Sequence, residues 1–326
     1  MTDPLKAEFD KLVGQPLSSA GPNPAADPVN IPMIRHWVDA FDDQNPIYLD
    51  EAAAKASRFG ELVAPPAMMQ TWTFPRPIIK GIRERGGSPQ EVDAGNPLKL
   101  LDNAGYMGTV ATNSELEFDR YLRPGDHIQS ESVLESISEK KSTGLGVGYF
   151  VTMLITYSTL QGEVIGRQRF RMYKFNPNET PEPKTGGSKP ALEKPEVIEE
   201  LPAFELEVTA AVIIAGAIAT RDFMPVHHDR DYAQAQGAPD IFMNILTSNG
   251  YMSRYVTDWA GPNAVVKNIS IRLGAQCVPG HTLRFTGQVI DQKQHDNGDI
   301  IKTVAVVASC ALGNHAVGTV TVSVPA

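Results

Sequence analysis

The stretch Ala219–Tyr251, ATRDFMPVHHDRDYAQAQGAPDIFMNILTSNGY, decides the fold, because the chain contains the same order of parts twice. In the first half AFDDQNPIYLD (Ala40–Asp50) leads into EAAAKASRFG and then LVAPPAMMQTWTF; in the second ATRDFMPVHHD leads into RDYAQAQG and then APDIFMNILTSNGY. Asp50 and Asp229 occupy the N-cap position of a short helix in each copy, and Gly60 and Gly237 mark where those helices stop. The following IFMNILTSNGYMSRYV places Ile241, Ile245, Leu246, Met252, Tyr255 and Val256 at approximate helical spacing with few charges, which predicts a helix buried on most sides.

Four β-rich runs follow each helical region. They are TVATNSELEFDRY, HIQSESVLESISE, GVGYFVTMLITYSTL and EVIGRQRFRMYKF in the first half, and VVKNISIRLGAQ, TLRFTGQVIDQ, DIIKTVAVVASCAL and HAVGTVTVSV in the second. Asn297–Gly298 and Gly313–Asn314 are hairpin signals, and the corner RPGD at Arg123–Asp126 recurs as VPGH at Val278–His281. A buried helix followed by an antiparallel meander predicts a sheet curled around that helix, with the two sheets paired side by side. The Pro-, Lys- and Glu-rich run between the halves reads as a linker, giving domains 1–175 and 206–326 joined by 176–205. Pro75–Tyr106 has no counterpart in the second half. It reads as a surface excursion, or as a loop covering a ligand with Arg76, Lys80, Arg83 and Arg85 near its phosphates.

The chain has 326 residues, enough for two domains, with 29 basic against 38 acidic side chains and a net charge of -9. That balance argues against nucleic acid or an anionic membrane as the main partner. No basic, apolar leader opens the sequence and no run of eighteen apolar residues occurs, so a cytoplasmic protein is expected. Cys277 and Cys310, the only cysteines, read as buried small hydrophobes.

Gap-free alignment of the copies pairs Asp43 with Asp222, Pro46 with Pro225, Asp50 with Asp229, and Tyr48 with His227. An aspartate and an imidazole converging on one point can hold a water and move its protons; a tyrosine with a reference pKa near ~10 does so poorly at neutral pH. The first copy therefore reads as a retired site and the second as the working one. The cluster also admits the reading of a satisfied polar turn. A metal is not expected, since the adjacent His227 and His228 point apart and no third ligand cluster lies nearby. The helix after the motif offers free N-terminal amides for a developing oxyanion, with Met243 or its neighbour Asn244 as donor.

The order Asp222, Pro225, Val226, His227, Asp229 resembles the motif of the MaoC-like hydratase family, and the repeat resembles its double hotdog arrangement. The resemblance implies an α+β fold of two curled antiparallel sheets, each wrapped around a buried central helix. It also implies catalytic roles for Asp222, His227 and the amide of Met243. Ala219–Gly274 is similar to the small catalytic subunit of two-subunit steroid side-chain enoyl-CoA hydratases of cholesterol-degrading bacteria. RHWVDAFDDQNPIYLD and ELVAPPAMM are similar to the hotdog domain of the larger subunit, so the chain resembles a fusion of the two. A Gly common at the head of the hotdog helix is Met243 here, and the usual Asn before the motif's Pro is Met224, whereas the first copy keeps Asn45. The expected activity is addition of water to a 2-enoyl-CoA, with a steroid side-chain substrate. The alternatives are an (R)-specific hydratase or dehydratase of fatty acyl thioesters and a non-catalytic acyl-CoA-binding protein. No cofactor is expected beyond the CoA of the substrate, with Arg254, Lys267 and Arg272 as candidates for its phosphates. The resemblance further implies a homodimer and a downstream aldolase as partner, although the zinc-binding cysteines of the larger subunit have no counterpart here.

Overall fold

The internal repeat governs the architecture of the computed structural model, which describes residues 3–18, 20–91, 96–179 and 195–326. The first half contains helices α1 (Pro4–Asp10), α2 (Ile31–Phe41), α3 (Pro46–Leu49), α4 (Glu51–Ala56) and α5 (Leu98–Asn103). Its strands are β1 (Asn23–Pro24), β2 (Gly108–Phe118), β3 (Ile128–Ile137), β4 (Lys141–Thr143), β5 (Gly146–Thr159) and β6 (Val164–Asn176). The second half contains β7 (Glu199–Val208), α6 (Ala210–Ala219), α7 (Arg230–Ala235), α8 (Ile245–Ala260), β8 (Val265–Leu273), β9 (His281–Gln294), β10 (Ile300–Cys310) and β11 (Gly313–Val324).

The strands form one antiparallel sheet in the order β1-β3-β5-β6-β2-β8-β11-β10-β9-β7, with β4 added on β5. Each half repeats one pattern, and the halves join where β2 pairs with β8, Leu116 opposite Ile269. Two hotdog sheets thus lie side by side, as the repeat predicts.

The central elements of the two halves differ. Twelve of the sixteen residues of α8 are buried, including Thr247, Ser248 and Asn249. Its counterpart in the first half is only a 3-10 helix, Pro66–Thr73, with all eight residues buried. Prolines explain the shortening: Pro65 and Pro66 open it, and Pro75 holds Phe74 extended, so the helix cannot propagate. Two glycines bring other helices against α8. A Cβ on Gly250 would lie 2.2 Å from the Phe41 ring of α2, and one on Gly216 of α6 would lie 2.6 Å from Thr247 Oγ1. Trp37, Phe41, Tyr251 and Met252 are buried in this core, each contributing about 1.5–3 kcal/mol.

Two boundaries depart from the sequence reading. Residues 199–205, expected in the linker, belong to β7, which pairs with β9. The ladder shifts register between Leu201 and Phe204, so Pro202 and Ala203 sit at an irregularity where a missing N–H is tolerated. Residues 180–194 of that linker lie outside the described residues. Among the short helices, α7 ends as expected: Gly237 is left-handed, φ +86°, and Ala238 N donates to Ala233 O. In the first copy α4 ends at Ala56 with an extended Ser57, and Gly60 belongs to the turn beyond. No helix among the described residues is long and apolar enough to cross a membrane.

Candidate active site

Asp222 owes its position to the end of α6. Arg221 adopts the left-handed conformation, φ +59°, with its N–H on Ile218 O and the Asp222 N–H on Ala217 O at 2.9 Å. This is the Schellman arrangement, and it fixes the residue after the left-handed one. The first copy repeats it at the end of α2: Asp42 has φ +47°, and Asp43 N donates to Val38 O at 2.9 Å. Sequence alignment paired the aspartates; the shared helix ending explains why they sit alike. A non-glycine residue in this region costs about 1 kcal/mol, and both copies carry that cost immediately before the aspartate.

From Asp222 the chain turns back. Asp222 Oδ1 accepts from Met224 N at 3.2 Å, and Pro225 opens a 3-10 turn ending at His227. The imidazole is buried, edge-on to the Phe242 ring. Its Nδ1 lies 2.6 Å from Phe242 O and its Nε2 lies 3.3 Å from Asp222 Oδ2. The dyad inferred from the repeat is therefore formed.

Asn244 completes it. As N-cap of α8, its Oδ1 accepts from Thr247 N at 2.7 Å, so its Nδ2 must point the other way. That amide donates to Asp222 Oδ2 and Thr220 Oγ1, each at 3.0 Å. Behind it, Ser248 Oγ donates to Asn244 O, and His315 spans Ser248 Oγ and Ala275 O, both at 2.9 Å. The sequence reading named Asn244 only for its backbone; the signal for its side-chain role was an Asn three residues before Thr247 at a helix head.

Met243 does not serve as expected. Its amide donates to Cys277 O at 2.9 Å and is used in holding α8 to the loop after β8. The amides of Asn244, Ile245 and Leu246 have no acceptor among the described residues and form the open end of the helix. The amides left free at this helix head are thus those one to three residues beyond Met243.

Burial alone would raise the Asp222 carboxyl. The facing charge of His227, with hydrogen bonds from His227, Met224 and Asn244, outweighs it and holds Asp222 below the ordinary carboxylate range. Burial would likewise lower His227, but the Asp222 charge and the bonds to Asp222 and Phe242 raise it above its usual value. In the first copy burial pushes Asp43 up to about 6, and Tyr48, buried in the imidazole's place, is held well above its normal value. Among the described residues no hydrogen bond joins Tyr48 to Asp43, and no group of three His, Cys, Asp or Glu converges as a metal site.

Of the three bases expected at CoA phosphates, Arg254 is committed elsewhere. Its guanidinium donates to Phe41 O at 2.6 Å, meets Asp258 at 3.3 Å and stacks over Phe204. It ties α8 to α2 and β7. Lys267 and Arg272 are exposed on β8. Arg272 lies near the strand end that leads to Cys277, and so toward the head of α8.

The unpaired excursion reaches the same region. Arg83 forms an ion pair with Asp229, the N-cap of α7. Gly87 packs so closely on Tyr232 of α7 that a Cβ would lie 2.6 Å from the hydroxyl. Arg85 is spent on carbonyls of its own loop, those of Ile78, Lys80 and Ser88. The excursion is thus docked on α7, the helix that follows His227 in the chain; its residues 92–95 lie outside the described residues.

A double hotdog with an Asp–His pair at the head of one central helix defines the class. Residues 19–168 match the FAS1-like, dehydratase domain region and residues 194–309 match the MaoC like domain. The chain is 47% identical over 123 residues to the 3-oxo-4,17-pregnadiene-20-carboxyl-CoA hydratase beta subunit of Mycobacterium tuberculosis, covering 38% of this chain and 92% of that one. It is 44% identical over 196 residues to a probable enoyl-CoA hydratase alpha subunit of Thermomonospora curvata, covering 58% of each chain. It is 40% identical over 178 residues to the M. tuberculosis 3-oxo-4,17-pregnadiene-20-carboxyl-CoA hydratase alpha subunit, covering 54% of each. The chain thus spans little more than half the length of these alpha subunits. A solved MaoC-like dehydratase superposes with a TM-score of 0.70 at 18% identity, covering 97% of this chain and 99% of that one.

The chain belongs to the MaoC-like dehydratase family. Within it, one polypeptide carries sequence similar to both the alpha and the beta subunit of a two-subunit hydratase.

Proposed function

We propose that the protein hydrates the double bond of 2-enoyl-CoA thioesters, reversibly, at Asp222 and His227. The observation that carries this reading is the placement of one carboxylate and one imidazole, 3.3 Å apart, against the open amides of α8. Asp222 takes a proton from a water held by the pair as the water oxygen bonds to the β-carbon. The π electrons move onto the thioester oxygen, where the amides of Asn244 to Leu246 stabilise the enolate. His227, protonated at rest, gives its Nε2 proton to the α-carbon as the thioester carbonyl re-forms. Transfer of the Asp222 proton to His227 restores the pair.

The names of the M. tuberculosis relatives favour a steroid side-chain acyl group. Lys267 and Arg272 remain the candidates for the CoA phosphates. The same reading carries a cytoplasmic homodimer with no cofactor of its own, supplying a downstream aldolase.

The test follows loss of enoyl-thioester absorbance with crotonyl-CoA and with a steroid enoyl-CoA bearing a three-carbon side chain. Higher kcat/KM for the steroid thioester is expected. Preference for crotonyl-CoA overturns the substrate and keeps the chemistry; turnover of neither overturns both.

A further inference from the structure

Between the 3-10 helix of the first half and α8 lies a buried polar cluster that the dyad does not use. Tyr157 OH donates to Gln168 Oε1 at 2.9 Å, and Gln168 Nε2 donates to Gln70 Oε1 at 2.8 Å and Ser114 Oγ at 3.1 Å. Asn249 Nδ2 of α8 donates to the same Ser114 Oγ at 3.1 Å. Asn249 and Ser114 are 0% exposed and Gln168 1%.

The accounting of donors and acceptors does not close. Ser114 Oγ receives two bonds, so both lone pairs are filled and its proton has no acceptor among the described residues. Asn249 Oδ1 is buried without a partner, as are Thr71 Oγ1 and Trp72 Nε1 of the two residues that follow Gln70 in sequence. Gln70 Nε2 also meets no acceptor there. Unmatched polar atoms at such depth are unfavourable in an apolar interior and call for a partner. The unmatched set holds one acceptor, Asn249 Oδ1, with the hydroxyl protons of Ser114 and Thr71 and the N–H groups of Gln70 and Trp72 as donors. Asn249 lies five residues beyond Asn244, or roughly 8 Å along the helix axis from the reacting centre.

We propose that this cluster is a specificity subsite for an oxygen substituent on the distal part of the acyl group, a ketone or a hydroxyl. The inference rests on the hydratase reading, with the acyl group running from the head of α8 toward the short 3-10 helix. A ketone oxygen accepts from Ser114 and Gln70; a hydroxyl does so and also donates to Asn249 Oδ1. A hydrocarbon at that point satisfies none of them.

The test measures kcat/KM for three bulky 2-enoyl-CoA thioesters of one carbon skeleton, with a distal ketone, a distal hydroxyl or neither. Wild type, Asn249→Leu and Ser114→Ala are compared, and binding of each saturated acyl-CoA is read by calorimetry. The proposal expects wild type to favour an oxygenated substrate at least about tenfold. The variants bring that ratio to within about twofold, through the KM of the oxygenated substrates, while the hydrocarbon substrate is turned over as before. No preference in wild type, or an unchanged ratio in a folded variant, overturns it. If one variant does not fold, Gln70→Leu takes its place. If wild type hydrates none of the three, the hydratase reading fails, and the calorimetric ratio still decides whether oxygen is recognised.

Discussion

His227 Nε2 lies 3.3 Å from Asp222 Oδ2 while His227 Nδ1 lies 2.6 Å from Phe242 O, so both ring nitrogens face acceptors. A carbonyl cannot donate, so Nδ1 carries a proton in either state; an ionised Asp222 then favours a second proton on Nε2. The resting pair is a carboxylate and an imidazolium, in line with the lowered Asp222 and the raised His227.

The pH dependence follows from those directions. For hydration, kcat/KM should rise as Asp222 ionises, below the usual aspartate range near ~4, and fall as His227 loses its proton above the usual histidine value of ~6.5. For stability, the lowered Asp222 stabilises above its unfolded pKa and loses this as pH drops through the folded one. The raised His227 stabilises below its unfolded pKa and loses this as pH climbs through the folded one. Both contributions are fully present between about pH 4 and pH 6.5. A basic limb already complete below pH 6 speaks against the imidazolium.

Asn244→Ala removes a donor from Asp222 and the N-cap of α8 together. Loss of the cap should cost about 1 kcal/mol in denaturant unfolding. Loss of the donor should move the acidic limb of the rate profile upward and lower kcat. A variant that loses stability with an unmoved acidic limb shows a cap only.

The buried Asp43, raised to about 6, gives an opposite effect on stability. Ionising it above its unfolded pKa disfavours the fold, by an amount that grows up to pH 6 and reaches at most roughly 3 kcal/mol above it. Asp43→Asn keeps the Oδ1 that accepts from Asn45 N. It should stabilise the protein more at pH 8 than at pH 4 and leave hydratase turnover within about twofold. Loss of turnover in this variant contradicts the retirement of the first site.

Arg58 of the first half donates to Asp299 of the second at 2.7 Å, and Ser323 Oγ does so at 2.6 Å. The Ser323 hydroxyl foremost, then Arg58 and the Asn297 amide, hold the Asp299 carboxyl down to about 2 against its partial burial. Asp299→Asn should cost about 1–3 kcal/mol at pH 7. The cost should fade as pH drops from the unfolded value near ~4 toward the folded one, because the wild-type carboxylate loses its charge there. Chemical unfolding at pH 7 and pH 2.5 checks it.

Much of this was legible because it repeats. The caps at Asp50 and Asp229, the paired sheets and the His227–Tyr48 difference all came from setting one half against the other. Strand β7 was hidden by Pro202 in its middle, which argues against a strand, and by the adjacent Glu199 and Glu200; the alternation from Phe204 to Val208 is too short to stand alone until its partner β9 is known. The shortness of the 3-10 helix depended on prolines at both ends, whose effect on a buried apolar run shows only in three dimensions. The commitment of the Met243 amide to Cys277 O and of Arg254 to Phe41 O are contacts across 34 and 213 residues of chain, which no local pattern encodes.

The central claim is that Asp222 and His227 together move the protons of one water. Hydration of the preferred 2-enoyl-CoA by wild type, Asp222→Asn, His227→Ala and the double variant tests it most directly. Each single variant should lose about 10²–10⁴-fold in kcat with the fold intact by circular dichroism, and the double variant little more than either. Turnover close to wild type in folded Asp222→Asn and His227→Ala would contradict it.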